Sequence, residues 1–199
     1  MSDIYIKAAK PAITTAKLMK SGQTTSYRTG DDGDLQSGRS SSFSVLAENN
    51  PFGNTNRFTD ELGGQTYTKN IVIDWSTYDG STVLGWCRTK QGAGTTWNNA
   101  IDNSLTFSIT GYTSGWKLAN IMEYMSITNF ANTITNKFNY SPFNITNGDY
   151  WSSNTDMNTT TNAYYIPNST TLYIYTTGKT SGIQYLVNRY FTVTGTTLT

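Results

Sequence analysis

Gly111-Tyr112-Thr113-Ser114-Gly115-Trp116-Lys117-Leu118-Ala119-Asn120-Ile121-Met122-Glu123 and Tyr150-Trp151-Ser152-Ser153 each place a tryptophan next to turn-forming or β-prone residues. Burying an indole contributes about 2–3 kcal/mol. Trp116 and Trp151 are therefore expected in the core rather than stacked on a ligand, and Trp97 is read the same way. Within the first stretch, Asn120 followed three residues later by Glu123 has the spacing of a capping box. It predicts a short helix with Leu118, Ile121, Met122 and Met125 as its apolar stripe.

Working outward, a second short helix is predicted from an N-cap at Thr95 or Thr96, with Trp97, Ala100, Ile101 and Leu105 at helical spacing. Before it, β-prone runs occur at Phe43–Leu46, Arg57–Asp60, Thr66–Asp74 and Val83–Cys87, separated by Gly, Asn and Asp clusters. After about residue 149 strands return at Tyr150–Ser153, Ala163–Ile166, Leu172–Thr176 and Leu186–Val193. Strands, two helices and strands again make an α+β domain of short antiparallel strands, assigned to residues 21–199. Residues 1–20 read differently. Ile4, Ile6, Ile13, Leu18 and Met19 are scattered among lysines, and Pro11 interrupts any helix. This segment is an extended N-terminal arm, either docked on the domain or another subunit or frayed as a terminus.

Thr, Asn, Ser and Gly supply 35, 20, 19 and 17 of the 199 residues, and charged residues only 14%. Such a surface consists largely of hydroxyl, amide and phenol groups. Fourteen tyrosines and five tryptophans nevertheless provide the apolar area a single globular domain needs. A formal net charge of +1 gives no footprint for nucleic acid. No run approaches 18 apolar residues and the first 20 residues lack a secretory signal pattern, so neither membrane insertion nor Sec export is expected. The single Cys87 lies in an apolar run and is expected to be a buried, inert thiol.

With no histidine, a Ser-His-Asp or Cys-His arrangement cannot be assembled. Four carboxylates, Asp102, Glu123, Asp149 and Asp156, remain as formal candidates for paired-acid glycoside hydrolysis. Three of them have plainer readings: helix surface for Asp102, helix cap for Glu123, the Asn147-Gly148-Asp149 turn for Asp149. The expectation is a protein that is not an enzyme and needs no cofactor. Asp31, Asp32 and Asp34, in the turn-rich segment Gly22–Gly38, lack the ligand spacing of an EF-hand loop, and Asx-turns with Arg28 or Arg39 are expected in place of a metal.

Five segments in order resemble the Lcl-type C-terminal domain, a family with a C-type-lectin-like fold. They are Gly22–Gly33, Thr96-Trp97-Asn98-Asn99-Ala100, the Gly111–Glu123 block, Tyr150–Ser153 and Leu186-Val187-Asn188-Arg189, together spanning about residues 21–193. Lys117 and Ala119 stand where the family commonly has Arg and Pro, and the segment Asp74–Gly94 is longer than usual. The Glu-Pro-Asn, Gln-Pro-Asp and Trp-Asn-Asp elements of calcium-dependent sugar-binding lectins do not occur. The resemblance thus implies a binding scaffold without calcium chelation, and no particular ligand.

The ligand-binding residues are expected on the strands and loops after Trp151: Asn154, Asp156, Asn158, Tyr164, Tyr173 and Tyr175, with Asn162 and Tyr165 beside them. Tyr and Asn are favoured in paratopes because phenols give contact area at low entropy cost and amides adapt their hydrogen bonds. A polar strand surface without a ligand is the alternative. By analogy with lectin-like display scaffolds, the expected setting is a bacteriophage virion. Residues 1–20 would join other virion proteins, the protein would be multicopy or a homo-oligomer, and the loops would meet host-surface or mucus glycans or a receptor. A decoration protein without a receptor role and a bacterial surface adhesin are the other two readings.

Overall fold

The computed structural model describes residues 50–53, 56–78, 80–129, 138, 140–143, 145, 148–167 and 174–199. The N-terminal arm, Asp31, Asp32, Asp34, the Phe43–Leu46 run and Tyr173 lie outside these residues. The strands are β1 (Phe58–Thr59), β2 (Ile71–Asp74), β3 (Thr82–Cys87), β4 (Gln91–Thr95), β5 (Lys117–Leu118), β6 (Asp149–Thr155), β7 (Asn162–Pro167), β8 (Tyr175–Gly178), β9 (Ile183–Tyr185), β10 (Val187–Thr194) and β11 (Thr197–Leu198). The helices are α1 (Trp97–Leu105) and α2 (Ile121–Ile127), with a 3-10 turn at Trp75–Thr77. No helix among the described residues is long and apolar enough to cross a membrane.

One sheet runs β1-β2-β3-β10-β11 with β5 also on β10; the other runs β4-β9-β6-β7-β8. All pairings are antiparallel except β6 with β9. Both faces of the first sheet are covered, so β2 and β3 read as nearly continuous apolar runs rather than alternating ones. Ile71, Ile73, Val83 and Cys87 enter one core with Trp116, Trp151, Ile183 and Phe191. Val72, Leu84 and Trp86 enter the other with Tyr124, Ile127, Tyr150 and Ile166. Gly85 is required by packing, since a Cβ there would stand 2.3 Å from the Phe191 ring. Cys87 is buried, and burial pushes its thiol above its ordinary value.

The helix starts agree with the sequence reading more closely than the helix faces do. Asn120 Oδ1 accepts from Glu123 N at 2.9 Å, and Asn120 N donates to Glu123 Oε2 at 2.8 Å, which closes the capping box. Leu118, however, belongs to β5, so the inward face of α2 falls on Tyr124 and Ile127, and Met122 is 75% exposed. On α1, Thr96 is the N-cap residue but its side chain makes no capping bond, and Leu105 points to solvent. The expected strand over Thr66–Asp74 is shortened to β2 because Tyr67 and Asn70 take positive φ angles of 52° and 57°. Its first half is organised by Asp60, whose carboxylate accepts from Leu62 N, Gly64 N, Thr66 N and Thr66 Oγ1 at 2.7–3.2 Å.

Burial works to raise the Asp60 carboxyl, but the Gly64, Leu62 and Thr66 donors outweigh it and hold it below its ordinary value of 3.8. A carboxyl depressed on folding adds stability above its unfolded value, and that stability is lost as pH falls through the folded one. The stability gap between the wild-type protein and Asp60→Ala is therefore expected to be constant at neutral pH and to shrink as pH falls below 3.8. Urea titrations at a series of pH values measure it. A gap that widened in acid would contradict this account of the loop.

Candidate functional site

Two indoles fix the strand that carries the site. Trp97, at the start of α1, donates from Nε1 to Ser152 O at 2.7 Å, and Trp151 on β6 donates to Thr95 O at 2.8 Å. Each ring thus bonds the backbone next to the other. The exchange ties the first turn of α1 to β6, and Tyr124 adds a bond from its hydroxyl to Trp151 O at 3.0 Å. Trp151 is fully buried and Trp116 nearly so, whereas Trp97 is partly exposed beneath Lys179, whose Nζ lies 4.2 Å from its ring centroid. Trp116 donates to Tyr112 O at 2.8 Å and meets Phe107 and Phe191 edge-on.

On this base the β6-β7-β8 surface separates the expected ligand residues into distinct roles. Tyr165 and Tyr175 are cross-strand partners, with ring centroids 5.9 Å apart and planes 26° from parallel. Tyr165 also meets Trp151 edge-on at 6.3 Å. The result is an aromatic ledge running outward from the core, with Tyr175 40% exposed at its rim. Burial raises the Tyr165 phenol above its ordinary value, with the Asp149 carboxylate and Tyr175 adding to it, so Tyr165 stays neutral. Asp149 reads locally as part of a turn, but it opens β6, and only the fold brings its charge to bear on Tyr165.

The other residues are placed elsewhere. Tyr164 is paired with Thr176 and, by strand alternation, belongs to the face opposite Tyr165. Asn154 Oδ1 accepts from Ile121 N at 3.0 Å and so supports the start of α2. Asp156 is buried and accepts from Asn158 N at 2.9 Å, an Asx-turn that shapes the β6–β7 loop. Asn158 is exposed in that loop beside Met157, which is 84% exposed. Tyr165 and Tyr175 are therefore brought together, Asn154 and Asp156 act on the backbone, and Tyr164 is set apart.

Of the other candidate carboxylates, Glu123 is engaged structurally. Glu123 receives Lys117 Nζ at 2.5 and 2.7 Å in addition to its capping bond, and Tyr190 Oη lies 3.4 Å from it. Among the described residues, no group of three or more His, Cys, Asp or Glu side chains is arranged to hold a metal ion.

The protein-family model of the Lcl C-terminal domain matches residues 76–188, a segment that runs from the 3-10 turn to the start of β10 and contains both helices and the ledge. Comparison with curated proteins finds no match.

Proposed function

From the premise that the chain belongs to the Lcl C-terminal domain family, we propose that it is a non-enzymatic binding module with a C-type-lectin-like fold, carried on a bacteriophage virion and attaching to host-surface or mucus glycans. The observation that carries the glycan reading is the ledge. Tyr175 is stacked on Tyr165, and Tyr165 rests on the buried Trp151. A stacked, core-anchored phenol offers a sugar ring an apolar face with little rotamer entropy left to lose on binding. The exposed Asp149 carboxylate can accept hydrogen bonds from sugar hydroxyls alongside it. Residues 1–20 serve in this reading as the attachment to other virion proteins, and many copies turn weak single contacts into avidity.

The test is retention of the purified protein on immobilised host-surface and mucin glycans. Tyr175→Ala is expected to weaken binding by about tenfold, the effect of losing roughly 1.4 kcal/mol of contact, with the thermal transition unchanged because the residue lies at the rim. Retention equal to wild type would remove the ledge as the binding surface. A wild-type protein that binds none of these glycans, on particles that adsorb normally without it, would replace the receptor role with a decoration role.

A further inference from the structure

We propose a second binding site, at the Gly111–Gly115 turn, where Arg189 and Lys69 are set on Tyr112 to receive the carboxylate of an acidic sugar. The Arg189 guanidinium sits in a corner of two rings, 4.5 Å from the Phe191 centroid and 5.5 Å from that of Tyr112. The rings themselves are 5.1 Å apart at 77°. Among the described residues nothing accepts a hydrogen bond from the Arg189 side chain. Its Nε is enclosed without a partner among the described residues, the residue as a whole is half-buried, and Nη2 lies 3.9 Å from where a Cβ on Gly115 would stand. Burial pulls the guanidinium below its ordinary value and Tyr112 partly offsets this.

Lys69 adds the second cation, with Nζ 5.3 Å from the Tyr112 centroid. It is held there by Glu61, a buried carboxylate 3.4 Å away whose other oxygen has no donor among the described residues. Two cations and one carboxylate leave a single positive charge, which matches a monoanion. The turn is open to it. Gly111 and Gly115 have φ of +87° and +80°, and a Cβ on either would stand 3.7 Å from Lys69 Nζ or Arg189 Cζ and shield the cation.

A planar carboxylate can lie in the guanidinium plane and accept two parallel N–H bonds. A sulfate or phosphate can accept the same two bonds, so the choice between them falls to the titration with methyl sulfate. The choice of a sugar as the bearer of the carboxylate rests on the proposed function; the carboxylate itself rests on Arg189.

The test is titration of the full chain with sodium glucuronate, acetate, methyl sulfate and glucose at constant ionic strength, followed by NMR. The reporters are the Arg189 Nε–H and the Trp116 indole N–H, which bonds Tyr112 O at 2.8 Å. Glucuronate and acetate are expected to shift both signals saturably and glucose not at all. Arg189→Gln should weaken glucuronate at least tenfold. Lys69→Gln, a change at a side chain 39% exposed, should weaken it several-fold, with the fold retained but the thermal transition lowered because the buried Glu61 carboxylate loses its ion pair. The absence of a saturable shift, an equal response to methyl sulfate, or unchanged glucuronate affinity in Lys69→Gln would each overturn the site. If glucuronate fails while Tyr175-dependent glycan retention persists, only this site falls; if glucuronate binds but no glycan is retained through Tyr175, only the ledge falls.

Discussion

Replacing Trp151 with alanine is expected to lower the unfolding free energy by about 3–5 kcal/mol, the range for emptying a buried aromatic site. The side chain is fully enclosed, packed in the larger core with Ala163, Ile183 and Tyr185. It cannot be vacated cheaply, because the strands around it are fixed on both sides: β7 antiparallel and β9 parallel to β6. The loss also removes the Nε1–H bond to Thr95 O. That bond separates from the packing in Trp151→Phe, which keeps most of the ring and should cost about 1–3 kcal/mol. Against a total stability of about 5–15 kcal/mol, the alanine variant stands near the limit of folding. Denaturant titration measures both changes, and a loss below about 1 kcal/mol in Trp151→Ala would contradict the role given to this residue. Where the variant folds, Tyr165 loses its edge contact, so glycan retention should fall even though Trp151 touches no ligand.

The parts of this fold that could be read from sequence are those set by neighbours along the chain. Asn120 and Glu123 are three residues apart, and their reciprocal bonds form in the structure as the spacing predicts. The exposure of Met122 could not be read in the same way. Apolar periodicity runs without interruption from Leu118, but the cap at Asn120 ends β5 and restarts the helical phase, so Tyr124 and Ile127 turn inward. Strand β4 was hidden for the opposite reason. Gln91-Gly92-Ala93-Gly94-Thr95 has weak strand propensity, and its pairing comes from β9, where Gln91 meets Tyr185 and Thr95 meets Ile183.

The candidate sites were less legible still. A tyrosine- and asparagine-rich region is visible in composition, but which tyrosines meet is fixed by the β7–β8 register. Asn and Asp side chains that look like ligand groups prove to be occupied in capping α2 and bending the β6–β7 loop. Arg189 and Lys69 meet at Tyr112 only because the Gly111–Gly115 turn and β10 bring them there. No spacing along the chain encodes such a meeting.

Arg57 is the other residue whose role only the fold discloses, and its loss is the second large effect expected. Its guanidinium bonds both Asp74 oxygens, at 2.8 and 2.6 Å, and donates to Ser126 O at 2.8 Å, tying the residue just before β1 to the end of β2 and the last turn of α2. Arg57 is 1% exposed and Asp74 fully buried. Taking two charges out of water costs several kcal/mol per ion, and the pair recovers it only while both partners are present. Arg57→Met therefore leaves a buried carboxylate with only the Ser76 N–H and hydroxyl, at 3.1 and 2.6 Å, among its described donors. The expected cost is about 3–5 kcal/mol. Asp74→Leu strands the guanidinium instead and also removes the side-chain cap of the 3-10 turn, for a similar or larger loss. The double variant removes both charges and fills the space with apolar groups. Its remaining deficit is the lost cap, about 0.5–2 kcal/mol, and the Ser126 carbonyl left without Arg57. A double-mutant cycle by denaturant titration should thus show the double variant more stable than either single one, with a coupling above about 2 kcal/mol. Additive losses would mean that Arg57 and Asp74 contribute by packing alone, and that the charge pair does not set how β1, β2 and α2 meet.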